Sequence, residues 1–292
     1  MSFILKPVDT VDTISKEDFK KNYLDPKRPL IIKGLTKDWP AREKWTTEYL
    51  KSIAGDVEVP LYDNSKADPS KPINSAVAHM KFGEYLDLIK REPTELRIFL
   101  FNLFKKVPGL IDDIKIPKDL MGGVMESIPA MFFGGSNSET FLHYDIDLPN
   151  ILHTHFGGRK HVILFDYKWK KRLYCLPNAT YALEDFNVGK PDFEKFPSLN
   201  GIEGYEVILE HGDTLFMPIG MWHWMKYLDG SFSLSLRAWD QSIPGKAASL
   251  WSLFQHGAVD SLLKMAFKGK YASYREKLAV KRAEKAYAKG TL

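Results

Sequence analysis

Apolar residues recur at helical spacing up to about residue 95 and again after Trp239, and between these limits they fall into short runs broken by turn residues. In the first part, TISKEDFKKNYLDP reads as a helix. Ser15 can accept an early backbone N–H, acids fill the first turn, and Pro26 and Pro29 end it. PLIIKGL reads as a short buried strand closed by Gly34, and TTEYLKSIAG as a second helix with Thr46 or Thr47 as cap and Gly55 as stop. VEVPLYD is strand-like and MKFGEYLDLIKRE is a third helix.

From Leu96 the runs RIFLFNLF, IPAMFFGG, NILHTHF and HVILFDY read as strands, the last two separated by Gly157-Gly158. YEVILEHGDTLFMP holds two more around the His211-Gly212-Asp213 corner. SFSLSLRAW alternates, with Ser231, Ser233, Ser235 and Arg237 on one face and Phe232, Leu234, Leu236 and Ala238 on the other. Many short antiparallel strands predict a mainly β fold, a barrel or jelly roll. AASLWSLFQHGAVDSLLKMAF and YASYREKLAVKRAEKAYAK then return to helix, the second rich in Ala, Lys and Glu. The expected organisation is one domain over 1–243, with N-terminal helices over 1–95 and a β core over 96–243, and a helical appendage over 244–292.

Charge sharpens this division. The chain of 292 residues has a net charge of +4. From Lys264 onward nine Lys or Arg face only Glu276 and Glu284, so the tail is +7 and the rest −3. Only the tail has the charge of a polyanion binder. A single cysteine, Cys175, excludes an intrachain disulfide and a cysteine-based zinc cluster. MSFILKPVDTV lacks a basic region followed by an apolar run, and no apolar stretch approaches the roughly 20 residues of a membrane span, so a reducing, cytoplasmic setting is expected.

The candidate chemistry lies in FLHYDIDLPNILHTHFGGRK, where His143, His153 and His155 stand among Asp145 and Asp147. On an extended strand residues i and i+2 share a face, so His143 and Asp145 can meet one ion. A third ligand must come from elsewhere, and His223, at the end of GDTLFMPIGMWH, lies on a strand that can run beside that of His143. Two histidines and one carboxylate with open positions opposite is the ligand set of non-haem Fe(II) oxygenases. The His-x-Asp spacing alone is weak; with the downstream segment on an all-β pattern it is much stronger. His153 and His155 share one face of their strand, opposite Asn150 and Thr154, and read as packed or hydrogen-bonded barrel residues rather than ligands.

PLIIKGLTKDWPAREKWTTEYL, THFGGRKHVILF and GYEVILEHGDTLFMPIGMWHW, in this order, resemble the Jumonji-C, or cupin-like, Fe(II)- and 2-oxoglutarate-dependent oxygenases, most of all their asparaginyl hydroxylase subgroup. The resemblance implies a double-stranded β-helix (jelly roll, cupin-like) core with N-terminal and C-terminal α-helices. It implies an enzyme using Fe(II), 2-oxoglutarate and O2, a dioxygenase hydroxylating a protein side chain or other substrate with release of succinate and CO2. It assigns His143, Asp145 and His223 to iron, Lys160 to the far carboxylate of 2-oxoglutarate, and Thr140 as a hydroxyl donor to that carboxylate. Asn150 falls near the position that binds the other end, displaced by extra residues on both sides. The tail resembles the family's dimerisation appendage, so a homodimer is expected.

A lysine suits a buried dicarboxylate as a point charge on a long stem, and a hydroxyl beside it adds a charge-assisted hydrogen bond. Arg237 departs from the subgroup, which has asparagine there, and either enters the barrel or pairs at the surface. Trp239, Tyr144, Asp147 and Asn102 are candidate pocket residues, while Phe99 and Phe101 serve equally as core. Demethylation is disfavoured by the lack of a zinc finger or reader module. A metal-binding cupin that does not use 2-oxoglutarate, and a tRNA-directed hydroxylase with RNA on the basic tail, are the alternatives.

Overall fold

The structure is a computed structural model describing residues 1–63, 75–127, 129–183 and 186–290. Ile128, first residue of the IPAMFFGG run, lies outside these.

In chain order the strands are β1 (Ile4–Pro7), β2 (Asp9–Val11), β3 (Leu30–Ile32), β4 (Glu58–Leu61), β5 (Ala78–Lys81), β6 (Arg97–Phe101), β7 (Ala130–Gly134), β8 (Glu139–His143), β9 (Asn150–Gly157), β10 (Lys160–Phe165), β11 (Glu203–Leu209), β12 (Thr214–Met217), β13 (Trp222–Tyr227) and β14 (Ser231–Ala238). The helices are α1 (Lys16–Phe19), α2 (Ala41–Lys44), α3 (Thr47–Ala54), α4 (Phe82–Arg91), α5 (Ile243–Leu253) and α6 (Asp260–Ala288). Local chemistry accounts for the early helices. Ser15 caps α1 by accepting Asp18 N–H at 3.0 Å, and Thr46 caps α3 by accepting Tyr49 N–H at 3.0 Å.

Two sheets form the core, in the orders β1-β11-β10-β13-β8 and β2-β3-β12-β9-β14-β7-β6. Their inner faces meet where Val162, Leu164 and Met225 of the first pack on Ile151, Leu215 and Met217 of the second. This is the jelly roll that the pattern of short strands predicts, in the double-stranded β-helix form that the family resemblance implies. Gly157, at φ 85°, lets the chain leave β9 in one sheet and enter β10 in the other, and Gly212, also at φ 85°, turns β11 into β12. The outer face of the seven-stranded sheet, with Leu152, Phe156, Phe232 and Leu236, is covered by α3 and α4 through Leu50, Phe82 and Leu86. The outer face of the five-stranded sheet, with Leu142, Phe165, Trp222 and Trp224, is covered by Trp169, Leu173, Phe196, Leu199 and Ala283 of α6. The fold therefore buries both outer faces with helices and loops and leaves polar side chains inside one end of the barrel.

α5 and α6 are joined by a π-helical segment, Phe254–Val259, whose Gln255 and His256 reach Asn178 and Tyr144. The N-terminal strands β1 and β2, parallel to β11 and β3, were not anticipated, because four and three residues with exposed side chains give no hydrophobic signal.

Candidate metal centre

β8 and β13 pair antiparallel with His143 opposite His223, and directly paired residues share a face. Each ring is aimed by its own strand. His143 Nδ1 lies 2.9 Å from Phe141 O and His223 Nδ1 3.1 Å from Met221 O. Carbonyls only accept, so both Nδ1 atoms carry the proton and both Nε2 lone pairs are free. Asp145, two residues past His143, brings Oδ1 to 3.8 Å from His143 Nε2. The ligand atoms of His143, Asp145 and His223 all lie within 4.8 Å of one another. An ion roughly 2.1 Å from each would hold them about 3 Å apart, a small contraction. Burial, with His223 beside it, lowers the His143 pKa to about 3, so its imidazole is a neutral, ligating one. Burial alone would raise Asp145, but Arg237 and the two imidazoles outweigh it and hold its carboxyl below the usual value.

Arg237, at the end of the inward row of β14, settles between the two positions open to it: it enters the barrel. One of its terminal nitrogens donates to Asp145 Oδ2 at 3.0 Å and to an oxygen of Asp147. Oδ2 is thus occupied and Oδ1 turns to the ligand cluster. The buried Arg237 Nε–H has no hydrogen-bond partner among the described residues.

Lys160 begins β10 on the same inner face. Its strand partner is Tyr227, while Leu164, four residues on, lies opposite His223, so about 13 Å of strand separates the lysine from the cluster before its stem is counted. The side chain is 1% exposed. Its Nζ donates to Ser233 Oγ at 2.6 Å and to His153 Nε2 at 3.2 Å, and stands 4.0 Å from the centroid of the Tyr227 ring. No carboxylate pairs with it among the described residues, and burial pushes its pKa well below the ordinary value. A buried ammonium surrounded by hydroxyls, an aromatic face and a neutral imidazole is suited to receive an anion.

His153 and His155 are hydrogen-bonded interior residues. His153 Nδ1 meets Ser235 Oγ at 2.7 Å, and His155 meets Ser233 Oγ at 2.9 Å and Gly158 O at 3.1 Å. His153 nonetheless touches Lys160. It belongs to the anion pocket together with Ser233, Ser235 and Tyr227, none of which was singled out from the sequence as a site residue. Their signal was the Ser231-Ser233-Ser235-Arg237 row, a polar stripe on a strand with both faces buried.

Several expectations need correction. Asn150 pairs with Ala238 and shares the face of Leu152 and Leu236, which pack outward against the helices, while Ile151 takes the inward position. The extra residue between Asn150 and Lys160 reverses the parity, so Asn150 points away from the anion pocket. Tyr144 likewise lies behind β8, buried against Trp222, with its hydroxyl 2.7 Å from Lys170 Nζ and 3.4 Å from His256 Nε2. Asn102 caps the turn Leu103–Lys105 by accepting Lys105 N–H at 3.1 Å. Trp239 needs no correction: it follows β14, half-buried, with its backbone N–H on Gly123 O at 3.1 Å.

Thr140 stays on the site's face because β8 bulges. Three residues of β8 span the two of β13 between the pairs His143–His223 and Thr140–Met225. Its hydroxyl accepts Met225 N–H at 3.0 Å. Asp147 is drawn in by Arg237. Phe99 packs on Phe132 and Phe101 on Phe82, the latter in the helix-covered core.

A double-stranded β-helix that converges two histidines and a carboxylate on one point, with an unpaired buried lysine on the same face, is the architecture of a non-haem iron oxygenase. The chain belongs to the cupin-like, Jumonji-C family of Fe(II)- and 2-oxoglutarate-dependent oxygenases: residues 16–245 match the family model for the Cupin-like domain. Enzymes of this family use Fe(II), 2-oxoglutarate and O2. The chain is 32% identical over 80% of its length to Lysine-specific demethylase 8 of Danio rerio, and 31% identical over 80% to Lysine-specific demethylase JMJ30 of Arabidopsis thaliana. It spans 59% and 55% of these two relatives. It is also 24% identical, over 82% of its length and 78% of the relative, to tRNA wybutosine-synthesizing protein 5 of Gallus gallus. Among the described residues no helix is long and apolar enough to cross a membrane.

Proposed function

We propose that the chain is an Fe(II)/2-oxoglutarate-dependent dioxygenase that hydroxylates a substrate C–H bond, with release of succinate and CO2. His143, Asp145 and His223 hold the metal, and Lys160 pairs the far carboxylate of the co-substrate. The metal and 2-oxoglutarate together supply the oxidising chemistry toward O2. The protein supplies geometry. Phe141 O and Met221 O fix the imidazole tautomers and Arg237 occupies one oxygen of Asp145, so that the two Nε2 atoms and the other oxygen would hold the metal. Ser233 and His153 hold the Lys160 ammonium in place, and the free Nε–H of Arg237 is a donor toward a carboxylate beside the metal. Thr140 can add a hydroxyl by giving up its hold on Met225.

The observation that carries this proposal is the buried Lys160 without an anion, on the same inner face as the ligand cluster. It also disfavours a cupin that works without 2-oxoglutarate, which would have no use for that charge. Anaerobic calorimetry of the Fe(II)-loaded protein with 2-oxoglutarate, followed by measurement of succinate after oxygen is admitted, tests it. Saturable binding and uncoupled succinate release are expected; the absence of both would sink the proposal, and Lys160→Ala with unchanged affinity would favour the cupin that works without 2-oxoglutarate.

A protein side chain is our first choice of target, since two relatives carry lysine-specific demethylase in their names. RNA is the second, favoured by the basic tail and by the relative named for tRNA wybutosine synthesis. A 16 Da gain on a peptide library or on an RNA pool after turnover separates the two. The stretch 244–292 acts in our proposal as a dimerisation element, because Leu250, Trp251, Phe254, Leu262 and Met265 are exposed along it. A cytoplasmic setting suits a chain whose one thiol, Cys175, is buried and held in the thiol form by that burial, its pKa pushed up to about 12. Cell fractionation checks that assignment.

A further inference from the structure

α6 from Leu263 onward, Gln255 before it and residues of the segment 170–178 line a groove of about 1200 Å³. Six cations line it: Lys170, Lys171, Lys270, Arg282, Lys285 and Lys289. No acid lines it, and none of the six is ion-paired among the described residues. Lys285 and Lys289 also complement the dipole at the end of α6, but that explains only these two. The two acids of the tail, Glu276 and Glu284, fall outside the groove.

Aromatic faces are interleaved with the cations. Phe267 and Tyr274 line the groove and are 58% and 60% exposed, and Tyr271 lines it between them. The lining residues run along α6 from Leu263 to Lys289, just past its end, at helical spacing, about 39 Å of helix. A concave, acid-free trough with flat apolar faces between positive charges matches a single strand of nucleic acid, whose phosphates take the cations and whose bases stack. A membrane surface would need a flat or convex face, and an acidic peptide has no use for the aromatic faces. A second copy presenting the same cations to this groove would be repelled, which confines the proposed contact between copies to the apolar surface of α5 and the start of α6.

We propose that this groove binds single-stranded RNA, through phosphate contacts to Lys270, Arg282, Lys285 and Lys289 and base stacking on Phe267 and Tyr274. The groove shares no residue with the ligand cluster or the Lys160 pocket, and the proposal does not rest on the oxygenase reading. It holds whether the bound RNA carries the oxidised group or recruits the protein to its target.

The test is fluorescence anisotropy of a labelled 12-nucleotide single-stranded RNA with the full chain, at 50 and 300 mM salt, beside a polyglutamate peptide of equal charge. Saturable binding that weakens about tenfold or more with salt is expected. The double variant Arg282→Glu, Lys285→Glu should lose about tenfold or more in affinity. Tyr274→Ala should lose about fivefold or more for RNA and nothing for polyglutamate. An unchanged far-UV circular dichroism spectrum and melting temperature in the same variants report that the fold is intact. No saturation at 50 mM salt up to about 100 µM protein, wild-type affinity in the charge-reversed variant, or polyglutamate binding as tight as RNA with no effect of Tyr274→Ala would each overturn the proposal.

Discussion

Arg237 holds Asp145 by one oxygen and leaves the other facing the histidines. It does so from β14, in the opposite sheet, so a single guanidinium ties the two halves of the barrel together at the proposed metal site. Arg237→Leu removes the partner of two acids at once. Asp145 then rotates freely between its oxygens and meets unrelieved repulsion from Asp147. We expect the affinity for Fe(II) or Mn(II), read by titration calorimetry, to fall about 10–100-fold, with Arg237→Lys losing less. Lys160 makes the complementary case. Its ammonium is desolvated and meets no anion until a ligand arrives, so it costs stability in the unliganded protein. Lys160→Met should leave stability to chemical denaturation unchanged or raise it by about 1 kcal/mol, while abolishing measurable binding of 2-oxoglutarate. A loss of both would mean that Lys160 is a structural residue. His143, Asp145 and His223 were legible because the chemistry demands a particular residue type at i and i+2. Asn150 was misplaced because one inserted residue flips a strand's faces, and no local signal marks which side of the insertion carries the shift.

At the scale of elements, β9 is the informative strand. Its inward row reads Ile151, His153, His155 and its outward row Asn150, Leu152, Thr154, Phe156, and both rows are buried. Alternation was visible in the sequence, but a strand buried on both faces gives no contrast by which to choose the inner one. The hydrophobic row faces the helices and the histidine row faces the other sheet, the reverse of the usual assumption that polar side chains point to solvent. The arrangement has a consequence in pH. Burial, and then the nearby Lys160 ammonium, push both rings well below the ordinary histidine value, so they stay neutral in the folded protein. In the unfolded chain they take up protons near pH 6.5. The stabilisation is therefore complete above that pH and is lost as the pH falls below it, by up to about 1.4 kcal/mol per pH unit for each histidine. Denaturant titrations between pH 7.5 and 5 should show this slope, and His155→Gln should reduce it by about a third, because His143, also held neutral by burial, contributes alongside His153. A flat profile would mean that both rings protonate without leaving their pockets.

Over the whole molecule, sequence periodicity marks the layers but not their connections. Gly157 and Gly158 mark a turn, yet nothing in them says that the chain passes from one sheet to the other rather than folding back as a hairpin. That follows from the packing of Val162 and Leu164 against Ile151 and Leu215, which only a closed two-sheet core can bury. The C-terminal helices show the same limit in another form. Their helical spacing was plain, but α5 and the start of α6 leave Trp251 and Met265 63% and 72% exposed, a surface that no other described residue covers. Apolar exposure of this extent along one helical stretch is what a partner would bury. The groove reaches back to Gln255 and Leu263, but its cations on α6 begin only at Lys270, so a second copy seated on Leu250, Trp251 and Leu262 would leave Arg282 and Lys285 open to RNA. Multi-angle light scattering should give twice the 33.5 kDa chain mass for the wild type. Trp251→Glu with Leu262→Glu should return the monomer, because two charges at the centre of an apolar interface are unpaired in both copies at once. Since neither residue touches the ligand cluster, uncoupled succinate release per chain should persist in that monomer. A double variant that remains dimeric would place the contact elsewhere, and one that loses both assembly and turnover would show that the partner completes the site.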